Sequence, residues 1–219
     1  MPAMTDLRLT SVDFADMESR FRATLANSLS GYKPANLIAT CSDIGQTNLA
    51  IMSSAVHLGS HPPLLAIVIR PDSVERHTLR NILQTGYYTL NHVDAEMVPA
   101  AHQTAARYPD DVSEFAAVGL EEAWETDFPV PFVAASPVRL GLKLREHHHL
   151  AINDTNLVIG EVVLAMLPAA AIAADGALDI NALGSVAISG LDTYHSGERL
   201  QRMAYAKPGI PPAAVADAS

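Results

Sequence analysis

Leu64 to Ile69 is an unbroken apolar run with Pro62-Pro63 before it and Arg70-Pro71 after it. The run has strand length, and prolines at both borders leave a helix no room to extend. A strand apolar on both faces predicts a central position, covered on both sides. Its neighbours constrain the fold further. Asn36 to Cys41 is β-rich, Ser42 to Gln46 has turn composition, and Thr47 to Met52 can return as a partner strand, which predicts a hairpin. A polar, small-residue crossing through Ser53, Ser54, His57, Gly59 and Ser60 joins that hairpin to the apolar run. Beyond it, Asp72 and Glu75 fit an N-cap for a helix over 73–84 with Val74, Leu79, Ile82 and Leu83 on its apolar face. Gly86 ends that helix, and Tyr87 to Asn91 is the next strand.

Outside this stretch, Phe14, Met17, Phe21 and Leu25 recur at helical spacing, which predicts one helix over 13–27 capped by Asp13. A second helix is expected over 94–108, with Pro99 near its start, and a short helical piece over 111–119. From Val138 the pattern is β again: 138–144, 147–152, a turn at Asn153-Asp154, 156–167, and a short strand at 186–189. Seven or more strands with two or three helices and no βαβ alternation predict an α+β protein, mainly β, built on a barrel with peripheral helices. The expected organisation is an N-terminal helical extension (1–30), one domain (31–208) and a disordered tail (209–219).

The net charge is −10, which argues against general binding to nucleic acid or to an anionic membrane but leaves room for a local basic pocket. The single cysteine, Cys41, excludes an intrachain disulfide and a multi-cysteine zinc site. Its apolar surroundings predict a buried, inert thiol. The apolar stretch 157–174 is interrupted by Glu161 and Pro168, so no membrane span is expected. With no secretory signal pattern at the start, a cytoplasmic protein is the expectation. No Gly-x-Gly-x-x-Gly, phosphate loop, Gly-x-Ser-x-Gly or His-Glu-x-x-His is present.

Three constellations carry candidate chemistry. Arg70 at a strand end, with Arg76, His77, Thr78, Ser53 and Ser54, offers a guanidinium fork, neutral donors and the positive end of a helix, a set that suits a phosphate. The plainer alternative pairs Arg70 with Asp72 or Glu75. His147-His148-His149 would place two imidazoles on one face of a strand, a metal site if Glu161, His92 or His102 joins them and a solvated edge otherwise. Tyr194 and His195 are the third set, able to stack on a bound ring or to anchor an interface. Tyr87, Tyr88 and Trp124 are expected to pack rather than to bind ligand.

Asn48 to Ser54, Pro62-Pro63-Leu64, His77-Thr78-x-x-Asn81-Ile82, Gly86-x-x-Thr89-x-Asn91, Ala135-Ser136-Pro137-Val138 and Ile159-Gly160-Glu161-Val162-Val163 occur in an order that resembles the flavin reductase-like family, near its flavoredoxin-type branch. The resemblance spans roughly residues 30–208. It implies an FMN-binding split β-barrel, Greek-key-like, acting as a homodimer with the flavin site near the interface. It also implies the cofactor-binding set Asn48, Leu49, Ala50, Ile51, Met52, Ser53, Ser54, Arg70, His77, Thr78 and Asn81. Backbone amides of 48–54 would meet the ring edge, and Arg70, His77 and Thr78 the ribityl phosphate. FMN is the expected cofactor, with FAD as the alternative and NAD(P)H as co-substrate. Electrons would pass to an acceptor or to a partner oxygenase. A non-catalytic flavoredoxin-type electron carrier is the other reading. One departure stands out. Where many relatives carry Gly-Asp-His before the Gly-Glu-Val strand, this chain has Asn153-Asp154-Thr155, so the histidine associated with nicotinamide use is replaced by Thr155.

Overall fold

The structure, a computed structural model, describes residues 6–71 and 77–215. The expected Asp72/Glu75 cap and Arg76 lie outside the described residues. A seven-stranded antiparallel sheet dominates, in the order β3 (Thr47–Met52), β2 (Asn36–Cys41), β6 (Tyr87–His92), β9 (Arg139–Leu150), β10 (Thr155–Met166), β5 (Pro63–Ile69) and β4 (Val56–Ser60). The sheet curls on itself. Ile38 of β2 and Ile67 and Ile69 of β5, with three strands between them in the order, share one core with Tyr88, Leu90, Leu142 and Val158. Leu79 and Ile82 of α3, described as His77–Thr85, plug this barrel. Ser54, just past β3, donates its hydroxyl to the Val68 carbonyl (2.7 Å) and accepts from the Val68 N–H (3.2 Å), tying the two ends of the sheet together.

The opposite face of β2 builds a second core. Leu37, Ala39 and Cys41 pack with Leu49, Val93, Phe115, Phe128 and Phe132. All six residues of β2 are buried, so β2 is the strand covered on both sides. The apolar run predicted for that place, now β5, has Val68 37% exposed on its outward face. Cys41 is 6% exposed, and burial foremost raises its pKa, in keeping with the inert thiol expected. Smaller elements complete the fold: β7 (Glu122–Ala123) pairs with β8 (Phe132–Val133), and β1 (Lys33–Pro34), β11 (Val186–Ser189) and β12 (Thr193–Ser196) form a three-stranded sheet.

Three expectations change. The single helix over 13–27 is two, α1 (Ser11–Asp16) and α2 (Ser19–Ser28). Thr10 caps the first in a reciprocal box with Asp13, and the Glu18 carboxylate accepts from the Arg20 and Phe21 N–H groups to start the second. The helix expected over 94–108 is only α4 (Val98–Gln103), because Asp94 bridges to Ser185 and its side chain accepts from the Met97 N–H. The 138–144 and 147–152 strands are one, β9, continuous against β10 through register shifts. The apparent break at Arg145–His147 is where the strand leaves the core, so the apolar signal stops while the ladder continues. The short helix expected near 111–119 is α5 (Glu114–Val118), closed by Gly119 in the left-handed region. The expected tail is tied back to the chain before it: Ala204 N–H donates to the Ala213 carbonyl, and Val215 N–H to the Arg202 carbonyl.

Candidate functional site

A cleft of about 970 Å³ opens where β3 leaves the sheet, a size at the upper end for small-molecule sites. Its floor is Asn48, Ala50, Ile51, Met52, Ser53 and Ser54; Val68, Ile69 and Arg70 form one wall with His77 and Thr78. The loop from Thr104 to Asp110 forms the opposite wall, and Lys33, Ile188, Gly190, Leu191 and Tyr194 close the far end. Nine of the eleven residues proposed from sequence therefore line one cavity. Leu49 and Asn81 do not. Leu49 is fully buried in the core, and Asn81 donates to Thr40 Oγ1 (3.1 Å) beneath the cleft.

Lining a cavity and being free to bind are different properties here. Asn48 gives its amide N–H to Glu114 Oε2 (2.8 Å), and its Oδ1 accepts from the Thr78 hydroxyl (2.9 Å). Ser54 is committed to Val68. β3 is an edge strand, and its outward amides are covered by side chains: Leu49 N–H by Glu114 (3.0 Å) and Ile51 N–H by Thr104 Oγ1 (2.9 Å). The next outward amide, Ser53, is bonded to no described residue, and neither is its hydroxyl. Arg70 is exposed and likewise meets no described partner. The expectation that backbone amides along 48–54 face a ring edge thus narrows to the amides of Ser53 and Ser54, just past β3.

Electrostatically the cleft differs from the acidic whole. Lys33, Arg70, His77, His102 and Arg107 line it, against Asp110 and Glu114. Both carboxylates are committed, Asp110 to His77 and Arg80 and Glu114 to β3. Lys33 donates to the carbonyls of Asn27 (2.8 Å) and Gly190 (3.1 Å), fastening α2 to the small sheet. Tyr194 hydrogen-bonds to His102 Nδ1 (3.1 Å) inside the cleft, and burial foremost raises its pKa. His195 instead bonds to Ser189 and stacks edge-on with Tyr32. Sequence reasoning missed Lys33, Thr104, Arg107, Asp110 and Glu114. Only the acidic Glu114 beside apolar Phe115-Ala116-Ala117 carried a local signal.

The three histidines of β9 lie away from the cleft, each with its own partner. His147 bonds to Asn156 (2.8 Å), His148 to Glu146 (2.7 Å) and His149 to Asp154 (3.4 Å). Among the described residues no three His, Cys, Asp or Glu side chains gather as a metal-binding group. Thr155 bonds to Asn153 in the β9–β10 turn and does not line the cleft. No helix among the described residues is long and apolar enough to cross a membrane.

The flavin reductase like domain model matches residues 30–179, which covers the barrel and the cleft floor. The chain belongs to that family. A solved split-barrel protein of Shewanella frigidimarina NCIMB 400, a candidate flavin reductase, is 48% identical, with a TM-score of 0.89 over 92% of this chain and 100% of that one. Nitrilotriacetate monooxygenase component B from Bacillus cereus (20% identity, TM-score 0.79, 91% of this chain and 100% of that one) shares the fold. So does the flavoredoxin of Desulfovibrio vulgaris Miyazaki F (22% identity, TM-score 0.66, 82% and 92%). An uncharacterized Bacillus subtilis protein, YwrF, is 29% identical over 136 residues, 60% of this chain and 66% of that protein. Across the curated relatives the match spans 51% to 67% of their own length.

Proposed function

We propose that this member of the flavin reductase-like family is an FMN-binding oxidoreductase, reducing flavin with NAD(P)H and passing electrons to an acceptor or partner oxygenase. The observation that carries the reading is a cationic cleft in an acidic protein, in which Arg70, Arg107 and Ser53 are donors that no described residue occupies. A ligand with an anionic tail and a polar-edged ring fits that donor set. FMN is the flavin carried forward from the family resemblance, with Arg70, beside His77 and Thr78 of α3, offering a planar guanidinium to its phosphate. A bound flavin supplies the hydride and electron chemistry, so no nucleophile or general base is required of the chain.

The chain's own residues hold and shape. Arg70 binds the phosphate, the Ser53 amide and hydroxyl meet polar atoms of the ring or ribityl chain, and Ala50, Ile51, Met52 and Val68 give the ring an apolar bed. Glu114 and Thr104 keep β3 in place by satisfying the edge amides that would otherwise compete for ligand atoms. The named oxygenase component among the fold relatives supports an oxygenase as partner. A homodimer is part of the proposal: Val68 lines the cleft and also belongs to an exposed apolar sheet face, so a second copy docked there would lie beside the flavin.

Titrating the protein with FMN and with riboflavin, following flavin fluorescence, tests the reading. Arg70→Ala should weaken FMN by about 10- to 100-fold and leave riboflavin nearly unchanged, the worth of one charge-assisted contact. Equal affinity of the wild type for the two flavins rejects the phosphate assignment. The second reading, an electron carrier of flavoredoxin type, is favoured by Thr155 at the position of the family's histidine. Slow oxidation of both NADH and NADPH by the FMN-loaded protein, with fast reduction by a protein donor, selects it.

A further inference from the structure

Asp110 places a carboxylate on the rim of a cleft otherwise dominated by cations. One of its oxygens pairs with His77 Nε2, and the other accepts from Arg80 Nη1 at 3.2 Å. Residues 77 and 80 are neighbours on one side of α3, so the carboxylate is tied at two points to the helix whose opening turn borders the cleft. The segment that carries it is anchored at its other borders. Thr104 holds Ile51 of β3, and Ser113 hydrogen-bonds Thr47 (2.7 Å).

We propose that Asp110 is a positioning residue for the polar tail of the flavin. The inference rests on the placement of that tail between Arg70 and the start of α3. A carboxylate at Nε2 requires the hydrogen on Nε2, which fixes the tautomer and the direction of the ring. Nδ1 is bonded to no described residue and is assigned by the proposal to the ligand. It donates to a phosphate oxygen when the ring is charged, a contact that riboflavin, which lacks the phosphate, does not offer. The objection that a carboxylate repels a phosphate is met by its two cationic or donor partners, which take up both oxygens. Asp110 thus acts through His77 without touching the flavin.

The experiment compares the ratio of riboflavin to FMN dissociation constants in the full-length wild type, Asp110→Ala and Asp110→Glu, alongside the 15N NMR signature of His77. In the wild type the ratio is expected to exceed ten and His77 to show the Nε2–H form. Asp110→Ala should lower the ratio by about tenfold, leave riboflavin affinity within about threefold, and mix the His77 tautomers; Asp110→Glu should restore part of both effects. A wild-type ratio near one removes the underlying phosphate placement. With a high wild-type ratio, three results overturn the role of Asp110 alone: an unchanged ratio in Asp110→Ala, an equal loss for both flavins, or a raised ratio, which would make Asp110 a competitor for the anion site.

Discussion

Tyr88 and Gly160 share one space inside the barrel. A Cβ on Gly160 would overlap the Tyr88 hydroxyl and stand 2.8 Å from its Cζ. The Tyr88 ring is fully buried, its hydroxyl has no hydrogen-bond partner among the described residues, and burial raises its pKa. Gly160→Ala should therefore destabilise the protein by about 2–3 kcal/mol through overpacking, as read from urea unfolding. Tyr88→Phe should be neutral or stabilising, because it removes an unsatisfied polar atom without breaking a bond. Glu114 is the opposite case. It is 5% exposed and satisfies two buried donors, so Glu114→Ala should cost about 3 kcal/mol in the same assay. His92 gives the pH dependence. Burial lowers its pKa from 6.5, and its Nδ1 lies 3.0 Å from Ser185 Oγ. The unfolded chain takes up this proton more readily than the folded one. Its contribution to stability is thus full above the unfolded value of 6.5 and is lost as pH falls through the lower folded value. Replacing His92 with Gln should flatten that part of the stability profile.

At the scale of elements, the site depends on an edge strand whose exposed ladder is covered by two side chains from different segments. Thr104 Oγ1 accepts from Ile51 N–H and donates to the Ala101 carbonyl (2.7 Å), so one hydroxyl joins β3, α4 and the cleft wall. Thr104→Val keeps the shape and removes both bonds. Hydrogen exchange at the Ile51 amide should speed up by about 10-fold, with global stability falling by about 1–2 kcal/mol. The motif residues that carried the family resemblance mostly serve such ties. Thr89 donates to the Pro131 carbonyl (2.9 Å), Asn91 to the Leu37 carbonyl (3.1 Å), and Ser136 to the carbonyls of His92 (2.7 Å) and Val138 (2.8 Å). They were legible because one polar side chain facing a buried backbone atom tolerates few replacements. The covering partners of β3 were not, since Thr104 and Glu114 lie 53 and 65 residues beyond the amides they satisfy.

Across the whole molecule, the barrel has one unfinished side. Val56, Val68 and Val163, which are 51%, 37% and 46% exposed, lie on the outward face of β4, β5 and β10 with half-buried Leu157 and Ile159 beside them. An exposed apolar face of this kind marks an interaction surface. If a second copy covers it, light scattering after size exclusion should give twice the chain mass. Val68→Asp should then give the monomer and weaken flavin binding as well, because Val68 reaches into the cleft. An unaltered dimer in that variant would place the interface elsewhere.

The sequence by itself determined the kinds of elements in this protein. It also placed nine residues of the cleft lining in one stretch, from Asn48 to Thr78. Strand periodicity, turn residues and the order of short motifs are local properties, and they survive without knowledge of the fold. Tertiary structure decided which donors remain free. Asn48, Thr78 and Ser54 looked like ligand contacts and are spent on protein partners, while Arg70 and Ser53 meet no partner among the described residues. It also decided that β2 rather than β5 is the strand covered on both sides. The physical reason is the same in both cases. A hydrogen bond or a buried face is shared between distant segments, and the identity of the partner is written only where the chain folds back to meet it.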